Sequence, residues 1–242
     1  MSKKLFIAFQ IIAGLASIAG WLFCLFSDGT NTIIALCLFC GCLLFLCASL
    51  IFAVITFVNK SNPSPRLINA IYARFETTSP QHSKYEFFKT FQNKRLFMNK
   101  FEQRLFWTGS KITNCFSPLK HTITEKESQY KQHLITFEFE KPLYFNEVAT
   151  IYLQADLEDA YNTSEPFLSQ AINSPTDLLY VIVTLNDKPE SFNKEARVYR
   201  CPKENDKFEE DICTVPFDKS TKSYRYVCQP EMEYTYYIKW EK

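Results

Sequence analysis

Apolar and polar positions follow two regimes along this chain, and the change falls near residue 58. Before it lie two runs, Leu5–Phe26 and Ile33–Val58, without a single Asp, Glu, Lys, Arg or His, separated by Ser27-Asp28-Gly29-Thr30-Asn31-Thr32. As helices they would reach about 33 and 39 Å, against about 30 Å of hydrocarbon core. In lipid the backbone must satisfy its own polar groups, which a helix does. The pattern predicts an N-terminal two-helix transmembrane hairpin over residues 1–58, with helices at about 5–26 and 33–58.

Beyond it the period changes to two. Residues 59–66, with Pro63 and Pro65, read as a linker that stops the second helix. Residues 67–242 are long enough for one domain with its own core. Alternation and β-branched or aromatic content mark strands at Leu134–Glu140, Val148–Leu157, Ala196–Arg200, Ile212–Phe217, Tyr224–Gln229 and Tyr234–Trp240, with Lys84–Phe91 and Phe101–Trp107 earlier. Leu178–Leu185 is apolar on both faces and reads as a central strand. Short strands at this spacing imply a mainly-β domain, an antiparallel sandwich with a barrel as the alternative.

Charge sets the expected topology. Lys3 and Lys4 precede the first run, and Lys60, Arg66 and Arg74 follow the second, while the intervening turn carries one Asp and no base. The positive-inside rule places both termini and the β domain in the cytoplasm. The competing reading is a cleaved signal peptide with its site near Ser17-Ile18-Ala19, but the apolar run continues through Trp21-Leu22-Phe23. Five of the nine cysteines lie in the apolar runs. Cys115, Cys201, Cys213 and Cys228 have no CxxC spacing, and the topology favours reduced thiols.

Part of the β domain has a recognisable cast. Phe106-Trp107-Thr108-Gly109, Ile135–Phe139, Glu165-Pro166-Phe167-Leu168-Ser169, the strand ending Val183-Thr184-Leu185, and Tyr236-Tyr237-Ile238-Lys239-Trp240 together resemble an immunoglobulin-like β-sandwich module. With the hairpin, the layout is similar to two-transmembrane, β-strand-rich membrane effectors of bacterial anti-phage nucleotide-signalling systems. That resemblance implies a cytoplasmic domain that senses a cyclic nucleotide or single-stranded oligonucleotide. It also implies a homo-oligomeric pore in the bacterial inner membrane, and a nucleotidyltransferase partner encoded nearby. The alternative is a membrane-anchored adaptor whose β domain binds a protein partner.

Several enzyme classes lack their sequence signatures. Gly109 is the one glycine after residue 58, so no Walker A loop, GxGxxG or GxSxG elbow is present. His82, His121 and His133 lie in separate segments without metal-ligand spacing. The runs Asp156/Glu158/Asp159 and Glu209/Glu210/Asp211 read as solvated charge. The expectation is a non-enzymatic chain without cofactor or metal.

The net charge of +1 conceals an asymmetry. Lys60–Lys131 holds thirteen Lys/Arg against five Glu, and the chain from Gln132 onward twelve Lys/Arg against twenty Asp/Glu. In the basic half, Lys84, Lys89, Lys94, Arg95, Lys100, Arg104 and Lys111 interleave with aromatics including Trp107. These are the candidate ligand residues, since cations neutralise phosphate and aromatic faces stack bases. Two other readings use the same residues: contact with anionic lipid headgroups, or core aromatics on strands whose opposite face carries solvated bases. In the first apolar run Ala13, Ala16, Ser17 and Gly20 form a stripe of small side chains, and Gly41 lies on a similar face of the second. Gln10 is the strongly polar side chain of the first run, a candidate for an interhelical hydrogen bond or a pore lining.

Overall fold

The computed structural model describes residues 30–119, 121–127, 132–205 and 207–241, together with Gly14, Ala16, Ile18 and Gly20. The chain divides into two compact units, Met1–Pro63 and Ser64–Lys242.

The first unit departs from the expected hairpin. Its described residues hold one long helix, α1, Thr30–Ser61. This helix begins inside the predicted turn, because Thr30-Asn31-Thr32 contains neither Gly nor Pro and can form a first helical turn. A count of apolar residues cannot see this, since Thr and Asn are polar. Leu5–Phe26 falls outside the described residues except for Gly14, Ala16, Ile18 and Gly20, each of which is helical. Within α1, Leu36–Ser61 is long and apolar enough to cross a membrane. The helix also runs three residues past the predicted end. Asn62 then closes it, its backbone and side-chain amides both donating to the Val58 carbonyl at 3.1 and 3.0 Å, and Pro63 bars continuation.

The second unit is mainly β, with thirteen strands among the described residues. They are β1 Arg66–Ser79, β2 His82–Asn93, β3 Phe97–Phe106, β4 Lys111–Phe116, β5 His121–Glu127, β6 Gln132–Tyr144 and β7 Val148–Glu158. The series continues with β8 Phe167–Ala171, β9 Thr176–Leu185, β10 Ala196–Pro202, β11 Glu210–Val215, β12 Ser223–Cys228 and β13 Tyr234–Lys239. Three sheets result, in the orders β12-β9-β1-β2-β7-β4, β11-β10-β13-β8 and β3-β6-β5. The expected antiparallel immunoglobulin-like sandwich is thus corrected in two respects. There are three sheets rather than two, and β9 pairs parallel to β1, with Ile71 opposite Leu179 and Phe75 opposite Val183. The apolar character of β9 on both faces has its cause here, since the strand lies between β12 and β1 in the largest sheet.

All three sheets contribute to one core. Phe87, Phe91, Phe137, Ile151, Leu153, Leu179, Tyr224 and Ile238 are among its fully buried side chains. Asn93 ties the end of β2 to the end of β6. It is fully buried, donates to the carbonyls of Arg95, Leu143 and Tyr144, and accepts from the Arg95 amide at 2.9 Å. Among the described residues, none of Cys115, Cys201, Cys213 and Cys228 is in a disulfide.

Candidate functional site

Strand β2 alternates by rule until it reaches Lys89. Tyr85, Phe87 and Phe91 point into the core, and Lys84, Glu86 and Phe88 point away from it. Lys89 occupies an inward position in that series and is only 6% exposed. Its ammonium donates to Gln103 Oε1 of β3 at 2.9 Å, and lies 4.9 Å from the centroid of Phe87 and 5.3 Å from that of Phe101. The guanidinium carbon of Arg66, at the start of β1, sits 4.3 Å from the centroid of the same Phe101 ring. Two cations therefore share one aromatic ring, an arrangement the ring quadrupole favours.

Neither cation has an acidic partner within ion-pair distance among the described residues. Burial, with the Arg66 charge adding to it, lowers the Lys89 ammonium to about 7. Burial also lowers Arg66, with Glu102 acting in the opposite direction. Uncompensated cations in a low-dielectric interior are unfavourable, and both would gain from an incoming negative charge.

Both groups open into a cavity of about 670 Å³ between β1, β2, β3 and β8. That volume is typical of sites for small organic ligands. Arg66, Lys89, Arg104 and Lys203 line it against a single carboxylate, Glu102, so its field is positive. Ile71, Phe75, Phe101 and Trp107 supply apolar and aromatic wall. Trp107 is fixed by its indole N–H, which donates to the Glu158 carbonyl at 3.0 Å. The arrangement can hold an anionic group near Arg66 and Lys89, with Ile71, Phe75 and Trp107 in the surrounding wall.

Of the eight ligand residues expected from sequence, Lys89, Arg104 and Trp107 line this cavity; Lys84, Lys94, Arg95, Lys100 and Lys111 do not. Lys84 and Lys111 are exposed on β2 and β4. Lys94 donates to Asn146 Oδ1, and Lys100 pairs with Glu102 at 3.0 Å. Phe101 is one of the interleaved aromatics, while Arg66 and Gln103, outside the expected ligand residues, complete the site. The signal that finds them is the phase of Lys89 with Tyr85, Phe87 and Phe91.

The acidic runs are engaged locally. The Asp159 carboxylate accepts the Thr163 and Ser164 amides, and Asp156 accepts from Asn114. Glu209 and Asp211 pair with Arg197, and Glu210 with Arg200. No group of three or more metal-ligating side chains occurs among the described residues. Of the helix-packing candidates, Gln10, Ala13 and Ser17 lie outside the described residues. Ala16 is exposed, a Cβ built at Gly20 would lie 3.9 Å from Phe39, and one built at Gly41 would have nothing within 4 Å.

No protein-family model and no curated protein matches this chain. Among solved structures, an M1 zinc metallopeptidase from Deinococcus radiodurans is 10% identical over 67% of this chain, at a TM-score of 0.36. A putative protease from Parabacteroides distasonis is 10% identical over 72% of the chain, at 0.39. Baculovirus P35 is 8% identical, covering 75% of this chain and 99% of P35, at 0.36. The chain spans 42% of the metallopeptidase and 40% of the protease. Likenesses at this level neither carry nor remove the expectation of a non-enzymatic chain.

Proposed function

We propose that Ser64–Lys242 is a ligand-binding module, that its ligand is a small anion with a flat ring, and that a nucleotide is the class that fits. One observation carries this reading: Arg66 and Lys89, without acidic partners, flank one aromatic ring inside an open cavity of about 670 Å³. Phosphate would bridge the two cations while the base packs on Phe101 and Trp107. Base–aromatic stacking contributes about 1–3 kcal/mol and charge-assisted hydrogen bonds add to it. The apolar helix α1 holds the module at a membrane, which for a sensor of this architecture is the bacterial inner membrane. The defence setting, the self-assembly and the nucleotidyltransferase partner rest on the resemblance in sequence layout alone.

The test is calorimetric titration of the full chain in detergent with AMP, a cyclic dinucleotide and inorganic phosphate. Binding should weaken at least tenfold in Arg66→Met and Lys89→Met and stay unchanged in Lys84→Met and Lys111→Met. Absence of binding to all three compounds, or equal losses in the four variants, would overturn the reading.

A further inference from the structure

Among the described residues Lys89 is the one buried lysine, and its sole hydrogen-bond acceptor is a neutral amide, Gln103. A lysine held as an ion is ordinarily matched to a carboxylate; this one instead shares an aromatic ring with another cation, the centroid lying within 5.3 Å of both charges. Lys89 and its acceptor Gln103 both line a cavity of about 670 Å³, large enough for a small molecule. Three other nucleophile candidates lack such a setting. The Cys115 thiol is pushed up to about 12 by burial and by Glu125. Burial likewise raises Cys213 and Cys228, so none of the three favours the thiolate that does thiol chemistry.

We propose that this cavity captures carbonyl compounds covalently: a small aldehyde or α-keto acid bearing a carboxylate or phosphate docks its anion on Arg66 and condenses reversibly with Lys89 Nζ. The inference rests on the anion site proposed above and adds a reactive atom to it. The amine lone pair adds to the carbonyl carbon as one amine proton passes to the carbonyl oxygen, giving a carbinolamine. That oxygen then departs as water with the second nitrogen proton, leaving the imine. One C=N bond replaces one C=O bond, nothing is oxidised or reduced, and hydrolysis restores the amine. An ordinary lysine is almost wholly protonated at neutral pH and enters this sequence only slowly. Lowered to about 7 by burial and by Arg66, Lys89 is divided between its two forms there.

The experiment uses glyoxylate, an aldehyde with an adjacent carboxylate, and sodium cyanoborohydride, which reduces the imine to a stable secondary amine. The full chain in detergent is treated at neutral pH and the modified peptides are mapped by mass spectrometry. Lys89 should be modified at least tenfold faster than the exposed Lys84, Lys100 and Lys111, and Arg66→Met should slow it several-fold without changing the unfolding midpoint. Labelling that is equal in Arg66→Met overturns anion-directed capture. Lys89 unmodified while AMP still binds overturns the imine and leaves the anion site standing. Lys89 unmodified with no AMP binding overturns both.

Discussion

Lys89 Nζ donates a 2.9 Å hydrogen bond to Gln103 Oε1, joining the inward face of β2 to β3 in a different sheet. Removing one member of such a pair strands the other, whereas replacing both with apolar groups of similar volume can be neutral. Gln103→Leu should therefore destabilise the fold by about 1–3 kcal/mol, and Lys89→Met/Gln103→Leu should recover most or all of that loss. Urea unfolding of the two single variants and the double variant forms the cycle that checks it. A double variant as unstable as Gln103→Leu would mean that the bond is not what the single change disturbs.

The same lysine makes stability depend on pH, with a sign that can be worked out. Its folded value, about 7, lies below the ordinary value of 10.5. Between them the unfolded chain holds a proton that the folded chain has released, so the unfolded state binds more protons and raising the pH favours folding. Below about 7 both states are charged and this contribution to the slope vanishes. The wild type should gain stability from pH 7 toward 10 relative to Lys89→Met, by an amount on the order of a few kcal/mol at most. Denaturation midpoints of both proteins across that range measure the difference, and shifts common to the two, such as those from buried tyrosines, cancel.

Asn93 makes a sharper case for a polar group that specifies a fold. Four hydrogen bonds converge on its fully buried side chain, three donated to carbonyls of Arg95, Leu143 and Tyr144 and one accepted from the Arg95 amide. Asn93→Ala removes all four bonds from a fully buried position and should cost about 3 kcal/mol or more. Asn93→Asp keeps an acceptor for the Arg95 amide but turns a carboxylate toward three carbonyl oxygens, so it should be at least as damaging. Hydrogen exchange at β2 and β6 would report the loss locally, and uniform protection in Asn93→Ala would contradict this account.

These residues also show which parts of the molecule the amino-acid pattern reveals. The strands that alternate cleanly, β2, β6, β7 and β13, coincide with segments marked by period-two reading. Strand β1 escaped it although it is central, because a bulge at Asn69 shifts the pairing between Ile68 and Ala70. One extra residue reverses the phase of every later side chain. The short strands β4 and β5 carry too few apolar positions to show a period. Single-chain periodicity also contains nothing about which strands pair, so neither the parallel β1–β9 contact nor the third sheet could be read from it. The site was half legible. Lys89 is one of the ligand candidates, and its phase with Tyr85, Phe87 and Phe91 puts it inside rather than on the surface. Arg66 reads in the sequence as one basic charge among many, since its position over Phe101 depends on β1 being a strand.

Gly109, the one glycine beyond residue 58, links stability to the cavity. A Cβ built there would lie 2.5 Å from Cε2 and Nε1 of the Trp107 indole and 2.6 Å from Cζ2. These distances are far inside van der Waals contact, and the obstacle is a rigid, buried ring rather than the tip of a flexible chain. In Gly109→Ala the indole must move, and its hydrogen bond to the Glu158 carbonyl is then lost. Overpacking and the broken bond together should cost about 2–4 kcal/mol. Because Trp107 also forms the cavity wall, nucleotide affinity should fall in the protein that remains folded. Tryptophan fluorescence reports the ring's displacement, and titration with AMP reports the affinity. A stable Gly109→Ala protein with unaltered emission would mean that the indole does not rest on Gly109.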